Sequence, residues 1–233
     1  MMSTYPGFPG RSPIFLNGTL LLGGFKTVNM DENTFSPNSS IDTSIKKILK
    51  YFDIDSQRRM KKVILDAKKA AEKHQNENTD AAARHKFREF IPAYILNREG
   101  FAFEYEKPIH GKTPDWLDDT NKLMLESYTY ERGGTSSLVD RAISAVNNKY
   151  NKYKKILAAD SLQLIISVYL DFLSVMSLDE CRGYSEEFRT LLKDNDLLKL
   201  IVFFTETRVV DGVPYYGLYC LSEKYEEYFE YDV

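Results

Sequence analysis

Between Phe101 and Leu170 the hydrophobic period changes twice, and this constrains the fold more than any other feature of the chain. Phe101, Phe103 and Tyr105 alternate with Ala102, Glu104 and Glu106, the period of two that a half-buried strand needs. That strand runs on to Ile109, and His110-Gly111-Lys112 supplies a turn. A short strand follows at Pro114–Leu117, and a turn through Asp118-Asp119 leads to a strand at Leu123–Tyr130. From about Ser136 to Ala158 the period lengthens to that of an amphipathic helix, and Leu162–Leu170 then reads as a strand apolar throughout. An amphipathic segment at Arg84–Asn97 precedes the set, with Pro92 expected to kink it and Gly100 to end it. Helix, three strands, helix, strand predicts an α/β domain with a mixed central sheet flanked by helices.

The flanks are plainer. A Pro/Gly arm (Tyr5 to Pro13) leads to a short strand or hairpin at Ile14–Val28 and a polar loop at Asn29–Ser40. Ile45, Ile48, Leu49 and Phe52, then Met60, Ile64 and Ala67, predict helix from Ile41 to about His74. The polar stretch Gln75–Asp80 reads as a connector. The expected division is therefore an arm and mainly helical lobe at 1–80 and an α/β domain at 81–233. In the second part, Ser177 with Glu180 fits a capping box, and a helical region follows that breaks near Gly183. Leu200–Val210 and Pro214–Leu221, joined by Asp211-Gly212, predict a hairpin. An acidic, aromatic tail ends the sequence.

Composition narrows the function classes. The formal net charge of −3 over 233 residues rules out a surface that is basic everywhere, so nucleic-acid binding would need a local basic patch. Cys181 and Cys220 are too few for a disulfide scaffold and read as core thiols. The most apolar stretch, Leu162–Met176, is interrupted by Gln163, Ser167, Asp171 and Ser174 and is too short to span a bilayer. A soluble, cytoplasmic protein that makes no membrane contact is expected.

Chemistry concentrates at two carboxylates. On the strand Leu123–Tyr130, Met124, Glu126, Tyr128 and Tyr130 share one face, so Glu126 sits mid-strand among apolar neighbours. A carboxylate there is costly to desolvate unless it is paired or binds a cation. Asp115 opens the preceding strand, one short turn away. Two carboxylates meeting at one point suit a hard cation such as Mg²⁺.

Pro114-Asp115, followed after an interval by Glu126-Ser127-Tyr128 on this order of elements, resembles the PD-(D/E)xK restriction-endonuclease-like nucleases. The resemblance covers roughly Arg84 to Asp171. It implies a restriction-endonuclease-like sheet, with Asp115 and Glu126 as ligands of Mg²⁺ (Mn²⁺ as a substitute) in the hydrolysis of DNA or RNA phosphodiesters. The family's strand lysine is replaced here by Tyr128, which brings no positive charge near neutral pH. On a helical wheel, Lys149 falls within the apolar arc of the long helix, with Ala145, Val146 and Tyr153 around it. Some members of the superfamily supply the lysine from this helix, which makes Lys149 the candidate for the displaced charge, with Tyr128 lining the site. Arg141, Lys152, Lys154 and Lys155 on the same helix form a local basic surface for phosphates, Arg141, Lys152 and Lys155 foremost. Such enzymes often act as homodimers, because cutting two strands takes two sites.

Two other readings stand beside this one. The missing strand lysine also fits a catalytically inactive descendant that binds nucleic acid or a protein partner. An α/β interaction protein with no link to nucleases survives if the strand assignments fail. Glu89, an optional acidic position of the family, falls opposite the apolar stripe and is expected in solvent. His74, His85 and His110 share no metal-ligand spacing.

Overall fold

The computed structural model describes residues 14–16, 19–21, 41–73, 79–130, 138–170, 178–210 and 213–233. The proline-rich arm, the 29–40 loop, residues 75–78 of the connector, Gly133-Gly134, Ser177 and the Asp211-Gly212 turn lie outside them. The chain divides into two compact units, Met1–Asn33 and Thr34–Val233. In the first, β1 (Ile14–Leu16) pairs antiparallel with β2 (Thr19–Leu21). The boundary expected at residue 80 falls inside the second unit.

That second unit is a mixed α/β structure. Helices α1 (Ile41–Leu49), α2 (Ile54–Lys73), α3 (Thr79–Arg88) and α4 (Ile91–Arg98) precede strands β3 (Glu104–Tyr105), β4 (Trp116–Asp118) and β5 (Leu123–Tyr130). Then come α5 (Leu138–Asp160), β6 (Gln163–Leu170), α6 (Leu178–Gly183) and α7 (Ser185–Asp194). Strands β7 (Leu198–Val210), β8 (Val213–Leu221) and β9 (Glu226–Asp232) complete it. The seven strands β3 to β9 form one sheet in chain order. β3–β4–β5 is an antiparallel meander, β5–β6–β7 is parallel, and β7–β8–β9 is antiparallel again.

Local chemistry explains where the structure departs from the sequence expectations. The single helix expected over 41–74 is two, because the Asp53 carboxylate accepts the N–H groups of Asp55 (2.9 Å) and Ser56 (3.0 Å) and so starts α2 afresh. Thr79 and Asp80, assigned to the connector, already belong to α3. Pro92 does not kink a continuous helix. It sits in the first turn of α4, where a missing N–H costs nothing. Gly100, at φ +102°, ends α4 as expected, with the Phe101 N–H reaching back to the Leu96 carbonyl at 3.1 Å. The alternation over 101–106 holds in burial, yet β3 has only two residues, because Glu106 adopts φ +49° and turns the chain away. The tail, given no structure from sequence, is the edge strand β9, which buries Phe229 and Tyr231.

The core between sheet and helices positions the site. Val139, Ala142, Val146, Tyr150, Tyr153, Ile156 and Leu157 of α5 pack on Met124 and Tyr130 of β5 and on alternate residues Leu164, Ile166, Val168 and Leu170 of β6. On the opposite side of the meander, Trp116 lies among Phe52, Phe90 and Tyr105, with ring centroids 4.8–6.0 Å apart. Asp118 is fully buried between these layers. Its carboxylate accepts the Ala102 N–H (2.8 Å) and the backbone and side-chain N–H groups of Asn121 (2.9 and 2.7 Å), a structural role that pins the β4–β5 turn. Cys181 and Cys220 are free and buried. Among the described residues no helix is long and apolar enough to cross a membrane.

Candidate active site

The β4–β5 register sets Trp116 opposite Leu125 and Leu117 opposite Met124, and one residue further it brings Asp115 opposite Glu126. Each carboxylate is then held by the other strand's backbone. The Asp115 N–H donates to Glu126 Oε1 at 3.0 Å, and the Ser127 N–H donates to Asp115 Oδ2 at 2.7 Å. The Asp115 carbonyl in turn accepts the Glu106 N–H (2.9 Å), which ties the pair to the first strand of the meander. Glu126 is completely buried, whereas the Asp115 side chain keeps 37% of its surface in solvent.

Lys149 meets both carboxylates. Its Nζ lies 2.6 Å from Glu126 Oε2 and 3.6 Å from Asp115 Oδ2, with a quarter of the side chain exposed. The ammonium therefore does not escape to bulk water; it meets the buried carboxylate, as its place in the apolar arc of α5 required. Burial pulls the Lys149 pKa down, but the Asp115 and Glu126 charges outweigh that and hold it above the ordinary lysine value. The site lysine is thus protonated throughout the neutral range.

One turn further along α5, Tyr153 is fully buried and donates its hydroxyl to the Thr113 carbonyl at 3.1 Å. Burial, followed by the Glu126 charge, pushes its ionisation well above that of an ordinary phenol. Tyr105, across the meander, is raised in the same direction by burial and then by Glu106, Glu89 and Asp115. The negative field of the carboxylates is therefore felt on both flanks. Tyr153 was placed on the apolar arc from sequence but given no role. The signal was present, because a tyrosine hydroxyl on a buried helix face needs a partner.

A cavity of about 710 Å³ opens beside the cluster, lined by Tyr128, Asp140, Arg141, Ser144, Ala145, Asn148, Lys149 and Lys152. The structure thus joins Asp115, Glu126 and Lys149, and it brings Tyr128, Arg141 and Lys152 to the adjoining cavity. Lys155 is exposed on α5 outside that lining. The Arg141 guanidinium lies 4.8 Å from the Tyr130 ring centroid. Glu89 differs from the expectation of free exposure. α3 ends at Arg88, so a phase carried across a continuous helix does not apply, and Glu89 is half-buried with Lys86 at 2.8 Å.

Comparison with protein-family models, curated proteins and solved structures finds no match. The site is therefore read from its own geometry. Among the described residues no group of three or more His, Cys, Asp or Glu side chains could hold a metal. Asp115 and Glu126 are nevertheless a pair of hard oxygen donors, the type that Mg²⁺ takes with water and phosphate oxygens, although both Glu126 oxygens are already engaged, Oε1 by the Asp115 N–H and Oε2 by Lys149. The pair does not fit a closed zinc site, which takes four protein ligands rich in sulfur or imidazole.

Proposed function

We propose that this chain is a metal-dependent nuclease that hydrolyses phosphodiester bonds of DNA or RNA, on a core related to the restriction-endonuclease-like PD-(D/E)xK enzymes. The observation that carries the reading is the Lys149 ammonium, brought by a helix to within 2.6 Å of Glu126 and 3.6 Å of Asp115. It supplies the positive charge that the strand position Tyr128 lacks. The antiparallel meander, the following helix and the parallel strand β6 support the same relationship.

Asp115 and Glu126 would hold Mg²⁺, or Mn²⁺ in its place. Such an ion, when bound, polarises a phosphoryl oxygen and makes water a stronger nucleophile at neutral pH. Lys149, protonated at neutral pH, donates N–H groups to a phosphate oxygen or to the attacking water and offsets charge that develops in the transition state. It is not a general base in this reading. The Asp115 N–H and Lys149 hold Glu126 in one orientation, and an entering ion would have to take the place of Lys149 on Glu126 Oε2. Arg141, Lys152 and Lys155 would contact neighbouring phosphates.

A cleavage assay on DNA and RNA, single- and double-stranded, with Mg²⁺ or Mn²⁺ tests this. Asp115→Ala is expected to abolish cleavage, and Lys149→Met to slow it roughly 10²–10³-fold, the usual loss on removing one charge-stabilising donor. Cleavage that survives Asp115→Ala refutes the site. Binding of nucleic acid without cleavage by the native chain would move the assignment to the inactive, binding descendant of the fold.

A further inference from the structure

We infer that the substrate strand is unpaired where it meets the site, and that the cavity along α5 receives one unstacked nucleotide beside the scissile phosphate. The inference rests on the phosphodiesterase reading above. Lys149 belongs both to the carboxylate cluster and to the cavity wall, so whatever fills the cavity is contiguous with the reacting group. Arg141, Asn148 and Lys152 recur on one side of α5, and eleven helical rises carry that wall along about 16 Å. Half-buried Tyr128 on β5 lines the same cavity.

The lining matches the parts of one nucleotide. Lys149 and Lys152 suit phosphate oxygens, the exposed Asn148 amide can read base-edge donors and acceptors, and the Tyr128 ring, which packs on the core, borders the space where a base would stack. A basic groove with an aromatic platform is how single strands are held, because every base has a face to stack. A volume of about 710 Å³ is that of a small-ligand pocket, enough for one or two nucleotides. A duplex keeps its base faces stacked inside and presents a major groove about 12 Å wide, so it has no base face to offer Tyr128. A single strand also needs only one site, so cleavage of this substrate requires no second copy of the chain.

The test is fluorescence anisotropy of the full chain in EDTA with labelled oligonucleotides: single-stranded DNA, the same sequence as RNA, and its blunt DNA duplex. Single strands of one or both sugars are expected to bind at least about tenfold tighter than the duplex. Tyr128→Ala should weaken single-strand binding about tenfold, the scale of one lost stacking contact, while Tyr128→Phe restores it and duplex binding stays unchanged. Asn148→Ala, at an exposed helix position that tolerates alanine, should cost roughly fivefold, the scale of one hydrogen bond. Equal affinity for the duplex, or indifference to both alanine substitutions, overturns the inference. In that case Asp115-dependent cleavage of duplex DNA would leave the nuclease reading standing. Absence of binding in EDTA together with absence of cleavage of the same three probes in Mg²⁺ or Mn²⁺ overturns the nuclease reading itself.

Discussion

Replacing Lys149 by Met tests the site through stability as well as through activity. Methionine keeps the length of the stem and removes the charge, leaving Glu126 fully buried with the Asp115 N–H still on Oε1 but no counter-charge at Oε2. Removing one partner of a buried ion pair costs about 3–5 kcal/mol, because the other charge is left uncompensated. The carboxylate can escape by taking up a proton. Since a quarter of Lys149 is exposed and water can enter the space it leaves, the expected loss is about 3 kcal/mol at pH 7. For a unit of this size that lowers Tm by roughly 6–12 °C.

The sign of the pH dependence is diagnostic. If the folded variant binds a proton that the unfolded chain has released, its stability falls as pH rises. The gap between variant and native protein should therefore be smallest at acid pH and widen towards neutrality. Urea denaturation at several pH values, run beside the double variant Lys149→Met/Glu126→Gln, measures this. A glutamine keeps an acceptor for the Asp115 N–H without the charge, so the double variant should regain most of the loss. A penalty independent of pH, or no recovery in the double variant, would refute the view that Lys149 is there to meet a buried charge.

Further outcomes are expected. Tyr153→Phe strands the Thr113 carbonyl and should cost about 1–2 kcal/mol in denaturant melts, with unchanged secondary structure by circular dichroism. Lys149, Tyr153 and Tyr105 all have folded pKa values above their unfolded ones, so the stability each contributes is present below about pH 10 and lost as pH rises through the folded values. Stability should fall on that alkaline limb, and Lys149→Met should lose its share of the slope while the tyrosine part remains. Asp118→Ala removes a buried acceptor of three hydrogen bonds and should destabilise by roughly 3 kcal/mol. Its cleavage rate per folded molecule should match the native chain, because Asp118 holds a turn and touches no reacting group.

How far the sequence could be read varies with the length of the signal. β5 lies at Leu123–Tyr130 as its alternation predicts, and α5 runs to Asp160, two residues past the expected end at Ala158. The phase of a helix of 23 residues averages out single misfits, which is why a wheel places Lys149 on the arc that faces the sheet, and the family resemblance then points it to the carboxylates. The short pieces were not legible in that way. β3 and β4 have two and three residues, and the positive φ of Glu106 that cuts β3 leaves no mark in hydropathy. The break at Asp53 depends on a side chain that caps the helix from outside, while the amphipathic pattern carries on past it. β9 was missed because Glu226, Glu227 and Glu230 mask an alternation in which only Phe229, Tyr231 and Val233 face inward. The cavity has no linear signature, since Tyr128 and the α5 residues that line it come together only when helix and sheet pack.

Neighbours in the large sheet are also neighbours in sequence, from β3 through β9, and this bears on how the chain is made. No strand has to wait for one synthesised later to be inserted between it and its partner. A nascent chain leaving the ribosome can extend the sheet one edge at a time, and the stretch from Asp115 to Lys149 emerges before the last three strands exist. Until β7 arrives, the free edge is β6, whose Leu164–Leu170 backbone is flanked by buried side chains, the most adhesive edge the growing sheet presents. With all seven strands in place the edge is instead β9, whose Glu226, Glu230 and Asp232 are ion-paired with Arg189, Arg208 and Arg98. Translation that stalls just after Leu170 should therefore be the point at which this protein most needs a chaperone.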